Sequence, residues 1–254
     1  MKDMTPKRAI VREPGDKYTD CISSHPLRHT IDVALARKQH GIYCRTLEDL
    51  GIEIIRLPRD DEYPDSCFVE DNAVVFGKKA LICRMAKESR MGEEAEVERI
   101  LGQYVKTKMA VSPATVEGGD VIHLEDRLIS GITQRTNEAG TQQMREWLET
   151  WVDTVVDASI VHLKSYVNYL GQDRMISTAK YARHTLFEGF DVIIVRDEDW
   201  YSTNNLVIGE TVIMPKGFPR TETMLANAGF KLVALEMTEF SKCEGALTCL
   251  SILF

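Results

Sequence analysis

Two side chains in this sequence suit thiol nucleophilic catalysis: Cys249, in Gly245-Ala246-Leu247-Thr248-Cys249-Leu250-Ser251, and His162, in His162-Leu163-Lys164. A thiolate attacks and an imidazole carries protons, and the two need not be neighbours in sequence. A cysteine among leucines is also an ordinary core residue, so the pair needs context. Carboxylates supply it. Asp65, Glu70 and Asp71 lie within seven residues, and Glu117 opens Glu117-Gly118-Gly119-Asp120. The flanking Phe68-Val69 and Ala73-Val74-Val75 make the first acidic run half-buried. Carboxylates in such a place are costly unless a cation meets them. They would oppose a developing oxyanion, which disfavours amidase chemistry. A cationic electrophile fits better. A guanidinium is planar, stays charged and matches carboxylates with paired hydrogen bonds. Its central carbon accepts a thiolate without an oxyanion hole. Arg90 and Arg135 read singly as surface solubility, but together they suit the α-carboxylate of an amino-acid substrate at the rim.

The elements that must bring these residues together show a rhythm. Spacing near 3.6 predicts helices over residues 30–50, 92–105, 137–152 and 221–228, the last with Thr221 as N-cap and Gly229 just past its end. β-rich runs predict strands over 51–57, 67–76, 80–84, 120–124, 128–132, 192–195, 206–214 and 231–235. Polar groups open successive units at Glu70-Asp71, Gly119-Asp120, His162-Leu163-Lys164, Asn204-Asn205 and Thr248-Cys249. The intervals are 49 residues from Asp71 to Asp120, 42 to His162, 42 to Asn204 and 45 to Cys249. One strand–strand–helix–strand unit per interval is a repeat architecture, against the plainer reading of an irregular α/β sandwich. About five units fit. That is too few for a capped solenoid and suits a closed ring, where residues at equal phase converge on the axis.

The chain has 254 residues, 44% hydrophobic and 28% charged, with a formal net charge of −8. Such composition is globular, and the acidity argues against nucleic acid or an anionic membrane as partner. No apolar run approaches the roughly 20 residues of a membrane span. Met1-Lys2-Asp3-Met4-Thr5-Pro6-Lys7-Arg8 lacks the apolar core of a signal peptide. The six cysteines, Cys21, Cys44, Cys67, Cys83, Cys243 and Cys249, show no CxxC and no zinc spacing. Six free thiols in a reducing cytoplasm are therefore expected. No nucleotide, P-loop, α/β-hydrolase or zincin motif is present, so neither a cofactor nor a metal is expected.

At this point the sequence resembles the dimethylarginine dimethylaminohydrolase (dimethylargininase) family of the guanidino-group-modifying superfamily. The resemblance rests on Pro64-Asp65-Ser66-Cys67-Phe68-Val69-Glu70-Asp71, Glu88-Ser89-Arg90, Glu117-Gly118-Gly119-Asp120, Arg135-Thr136-Asn137, His162-Leu163-Lys164, Met214-Pro215-Lys216-Gly217-Phe218-Pro219-Arg220 and Leu247-Thr248-Cys249-Leu250-Ser251. It implies an α/β fold, a five-bladed α/β propeller with a central active site, in one catalytic domain over residues 1–254. It implies hydrolysis of Nω-methylated arginines to citrulline and a methylamine, without cofactor. Cys249 would be the nucleophile, His162 the general acid/base and Glu117 the residue orienting it. Asp71 and Glu70 would bind the guanidinium, Asp65 would help place the amino-acid end, and Arg90 and Arg135 would hold the carboxylate. Backbone groups of Ile22, on the lid-like loop Asp20-Cys21-Ile22-Ser23-Ser24-His25, and of Cys243 would complete the pocket. The partners expected are a methylated arginine and, where rings associate, a second copy in a homodimer.

The nearest alternative is arginine deiminase, a relative that typically carries an acid two residues after the histidine. Lys164 stands there, so a second carboxylate grip on an unmethylated guanidinium is missing. Met91 and Asn205 stand where the family often has arginine and cysteine, which leaves room for another guanidine or ureido substrate. An inactive guanidinium-binding module is the non-enzyme alternative, opposed by the presence of both Cys249 and His162.

Overall fold

The computed structural model describes residues 6–254, so Met1–Thr5 of the segment read for a signal peptide lie outside the described residues. Each unit pairs an antiparallel hairpin with a third strand that returns parallel to its middle strand. In chain order, β1 (Arg8–Arg12), α1 (Val33–Asp49) and β2 (Glu53–Leu57) begin one unit. The second is β3 (Ala73–Phe76), β4 (Lys79–Ile82), α2 (Glu94–Leu101) and β5 (Lys106–Met109). The third is β6 (Val121–His123), β7 (Leu128–Ile132), α3 (Glu138–Leu148) and β8 (Val152–Val156). The fourth is β9 (Val167–Gly171), β10 (Arg174–Thr178) and β11 (Asp191–Val195), with only a 3-10 turn at Thr185–Phe187 where the others have a helix. The fifth is β12 (Leu206–Ile208), β13 (Thr211–Pro215), α4 (Pro219–Asn227) and β14 (Lys231–Leu235). After the short α5 (Thr238–Ser241), β15 (Ile252–Leu253) pairs antiparallel with β1 and completes the first sheet from the other end of the chain.

The result is the expected α/β architecture of five blades. The parallel returns explain the helices: a parallel strand needs a crossover, and a helix covers the sheet as it crosses. The apolar core divides into five clusters around the ring, such as Val74, Leu81, Val121, Leu128 and Met144 between the second and third sheets. Local corrections follow from turns. The run 206–214 is two strands, because Gly209 at φ +59° reverses the chain. Residues 67–72 are a loop and 3-10 turn before β3. Thr221 lies inside α4, which starts at Pro219; its hydroxyl is buried 2.8 Å from Ser202 Oγ instead of capping. Pro at N1 starts a helix well because its φ is already helical.

Five 3-10 turns, Val69–Asn72, Gly118–Asp120, Leu163–Ser165, Asp197–Thr203 and Thr248–Leu250, meet around the axis. Polar side chains stitch them. Asp71 Oδ1 accepts the Gly119 N–H at 3.0 Å, Asp120 Oδ1 that of Leu163 at 2.9 Å, and Asn204 Oδ1 that of Thr248 at 3.0 Å. Asn204 also donates to Lys164 O at 3.3 Å and Thr248 Oγ1 at 3.1 Å, while 3% exposed. Removing it strands buried groups on two blades, each costing about 1–3 kcal/mol. Asn204→Ala is expected to lower unfolding free energy by about 3 kcal/mol in urea titration. A loss below about 0.5 kcal/mol, the scale of a neutral surface change, would contradict this role.

Candidate active site

The stitched turns deliver the site. Asp71 lies in the first turn, Glu117 and His162 immediately precede the second and third, and Cys249 is the middle residue of the last. The glycines between Glu117 and Asp120 are steric necessities. A Cβ on Gly118 would lie 2.0 Å from Glu70 O, and one on Gly119 2.7 Å from His162 Cγ and 2.9 Å from Asp71 Oδ1. Only bare backbone lets Glu117 and Asp71 approach the imidazole together.

His162 Nε2 is 2.9 Å from Glu117 Oε2 and 3.7 Å from Asp71 Oδ1. Burial disfavours charge on the ring, but Asp71 and the hydrogen bond to Glu117 outweigh it and raise its pKa to about 9. Burial likewise opposes ionised Asp71, yet His162 and Arg90 bring it down to about 2. Glu117 falls below its ordinary range against the same penalty through its bond to His162. The imidazolium between two carboxylates is thus the resting state at neutral pH. Asp71, Glu117 and His162 bring three potential ligand atoms within 4.8 Å of one another, with His162 and Arg90 already paired to the two carboxylates.

Arg90 and Arg135 are both in the cluster. Arg90 is buried, not at a rim as expected: Nη1 donates to Asp71 Oδ2 at 2.8 Å and lies 3.8 Å from Glu117 Oε2. Arg135 Nη1 is 3.5 Å from Glu117 Oε1. Glu93, which the sequence reading missed, takes Arg90 Nε and Nη2. Its i,i+3 spacing from Arg90 is the signal that would have found it.

Glu70 accepts from Lys164 Nζ and, at 2.8 Å, from Thr248 Oγ1, next to Cys249. Burial, then Glu70 and Asp71, push the Cys249 thiol up to about 12. The loop from Asp20 to His25 closes over this end. The Ile22 N–H donates to both Asp65 oxygens at 3.2 and 3.1 Å, Ser23 Oγ to Lys242 O at 2.8 Å and Ser24 Oγ to Glu244 Oε1 at 2.6 Å. Here the free-thiol expectation is corrected. Cys21 and Cys243 form a disulfide with Cα atoms 6.0 Å apart, while Cys44, Cys67, Cys83 and Cys249 are free. A pair 222 residues apart has no spacing signature, and only the closed ring makes the two neighbours. Cys243 is therefore a side-chain tether for the lid loop, besides any role of its backbone. A cavity of about 540 Å³ opens beside His162, between Ser24 and His25 of that loop and the aromatic rings of Tyr166, Trp200, Tyr201 and Phe218.

The raised His162 value has a consequence for stability. A folded pKa above the ordinary 6.5 stabilises the fold fully below about pH 6.5, and that share is lost as pH rises toward about 9. The stability gap between the native chain and His162→Gln, read by chemical denaturation, is expected to narrow across that window. A gap constant from pH 6.5 to 9 would contradict a charged imidazole.

No family model matches the chain. It is 34% identical over 254 residues to N(G),N(G)-dimethylarginine dimethylaminohydrolase of Streptomyces coelicolor, covering 98% of this chain and 97% of that one. It is 32% identical over 253 residues to the Pseudomonas aeruginosa enzyme of the same name, covering 98% and 99%. The solved structure of a cysteine-to-serine mutant of the Pseudomonas aeruginosa enzyme, complexed with citrulline, superposes with a TM-score of 0.95 at 32% identity, over 99% of this chain and all of that one. With identity above 30% sustained over nearly its whole length, this chain belongs to the dimethylarginine dimethylaminohydrolase family.

Proposed function

We propose that the chain is a single catalytic domain that hydrolyses Nω-methylated L-arginine to L-citrulline and methylamine or dimethylamine. The observation that carries the reading is the buried cluster of Asp71, Glu117 and His162 beside Glu70 and Cys249, a negative site built from separate blades around a thiol. Family membership and the citrulline held by the Pseudomonas aeruginosa relative support the same reaction.

In this reading the substrate guanidinium lies against Asp71 and Glu70. Its positive charge offsets the carboxylates that hold the thiol near 12, so the Cys249 proton is released to water and a thiolate forms. The thiolate adds to the guanidinium carbon. His162, protonated at rest with its Nε2–H held by Glu117, gives the proton of its other ring nitrogen, Nδ1, to the departing amine as the C–N bond breaks, leaving a Cys249 S-alkylthiouronium. Neutral His162 then takes a proton from water. The hydroxide adds to the same carbon, the C–S bond breaks, and citrulline and the thiolate are released. Arg90 and Arg135 hold the α-carboxylate, and Asp65 with the Ile22 backbone closes the amino-acid end. Lys164 bound to Glu70 favours this substrate over unmethylated arginine, since a cation stands where a deiminase has its second acid. Among the described residues no helix is long and apolar enough to cross a membrane. Where rings associate, we propose a homodimer, and sedimentation as a monomer at working concentration would refute it.

Citrulline release from asymmetric dimethylarginine, monomethylarginine and arginine tests the reading. The methylated substrates are expected to turn over fastest, and Cys249→Ser to lose on the order of 10³-fold or more in kcat while still binding substrate. Arginine turning over fastest would make the chain a deiminase. Undiminished release by Cys249→Ser would remove Cys249 from the mechanism.

A further inference from the structure

We infer that Glu93 is the positioning residue that aims the Arg90 guanidinium at the carboxylate end of the substrate, an inference that rests on the role proposed for Arg90. Glu93 is 1% exposed and Arg90 4%, so neither is free to exchange partners with solvent. Arg90 Nε lies 3.0 Å from Glu93 Oε1 and Nη2 2.8 Å from Oε2, a side-on two-point pair. Nη1 is 2.8 Å from Asp71 Oδ2. A guanidinium has five N–H groups in a rigid fork. These bonds use three of them, and one remains on each terminal nitrogen. Two N–H groups on Nη1 and Nη2 are the pair that donates to both oxygens of a carboxylate. Glu93 thus fixes the plane of the fork and leaves one N–H free on each terminal nitrogen.

The backbone supports this assignment. Gly92, at φ +115°, has a conformation that other residues rarely adopt, and a Cβ there would lie 2.1 Å from Tyr63 Oη. The Glu93 N–H returns to Arg90 O at 3.3 Å. The segment from Arg90 to Glu93 is therefore a closed turn packed on Tyr63, and it sets the distance between the two side chains. Without Glu93 the guanidinium keeps only Asp71 as a hydrogen-bonded partner. It would then swing onto the carboxylate proposed to take the substrate guanidinium.

Steady-state kinetics with monomethylarginine test this. Glu93→Gln is expected to raise KM at least tenfold and lower kcat less than threefold, because carboxylate binding is lost and the thiol chemistry is kept. Glu93→Asp, which preserves the charge but withdraws it by one methylene, is expected to fall between the two. It also reads the effect should Glu93→Gln fail to fold with Arg90 half-paired. In an Arg90→Met background, adding Glu93→Gln is expected to change KM less than twofold, since Glu93 acts through Arg90. A native KM in Glu93→Gln or Glu93→Asp, a loss confined to kcat, or a full further KM increase in the Arg90→Met background would each overturn the inference. Absence of turnover by the native chain would instead sink the proposed function, so the two failures are distinguishable.

Discussion

The structure depends on compensating buried negative charge. Asp65, Asp71, Glu93, Glu117 and Asp120 are all at most 5% exposed, and such groups are tolerated only when paired and hydrogen-bonded. The compensating cations come from the same and the next unit: Arg90 follows β4, Arg135 follows β7 and His162 precedes β9. Neither an isolated sheet nor two adjacent ones would contain the full set. Three consecutive stretches of chain assemble this set, and closure of the ring adds Cys249 to it. The pairing of β15 with β1 holds the arrangement shut and places Cys249, three residues upstream of β15, opposite the acids of the second unit.

Compensation is incomplete, and in the proposed reaction that is what selects a cationic substrate. Asp120 is buried and, despite His162 and its hydrogen bonds, is raised to about 6; Glu93 is raised by burial to about 7 in spite of Arg90. Those two shifts come chiefly from burial, whereas at Cys249 the negative charge of Glu70 and Asp71 adds to burial in pushing the thiol up to about 12. A neutral amide would leave that charge in place, with the thiol protonated and inert. In the proposed reaction a guanidinium relieves it and frees the thiolate, so that substrate charge itself would turn on the nucleophile. The net −8 of the chain is mostly a property of the surface; the chemistry uses only its few buried members.

How much the sequence disclosed follows from the kind of signal involved. The polar openings of each unit were legible because Asp71, Asp120 and Asn204 perform one task, accepting an N–H from the next turn, and a repeated task leaves a repeated spacing. Strands at 128–132 and 231–235 were legible in full because apolar runs bounded by turn residues have no competing reading. The depth of Arg90 was not. An arginine beside glutamate and serine looks exposed, and it is buried because Asp71 approaches from another turn and the turn at Gly92 brings Glu93 back beside it. The Cys21–Cys243 bond was hidden for the same reason, since its proximity exists only after all five units have closed.

Lys164 extends the charge argument to the choice between guanidines. An unmethylated guanidinium presents N–H groups on both terminal nitrogens, and a second free carboxylate rewards both. Asymmetric dimethylarginine has no N–H on its substituted nitrogen. A carboxylate facing that nitrogen would lose its water without gaining a donor, at about 1–3 kcal/mol or more for a charged group. Here Glu70 already takes Lys164 on one oxygen and Thr248 on the other. Each of its oxygens already has one donor from the protein, so in the proposed reaction an N-methyl group facing it strands less than it would beside a free carboxylate. The lysine thus does not create affinity for methyl groups. It lessens the penalty that a deiminase-type acid would impose on them.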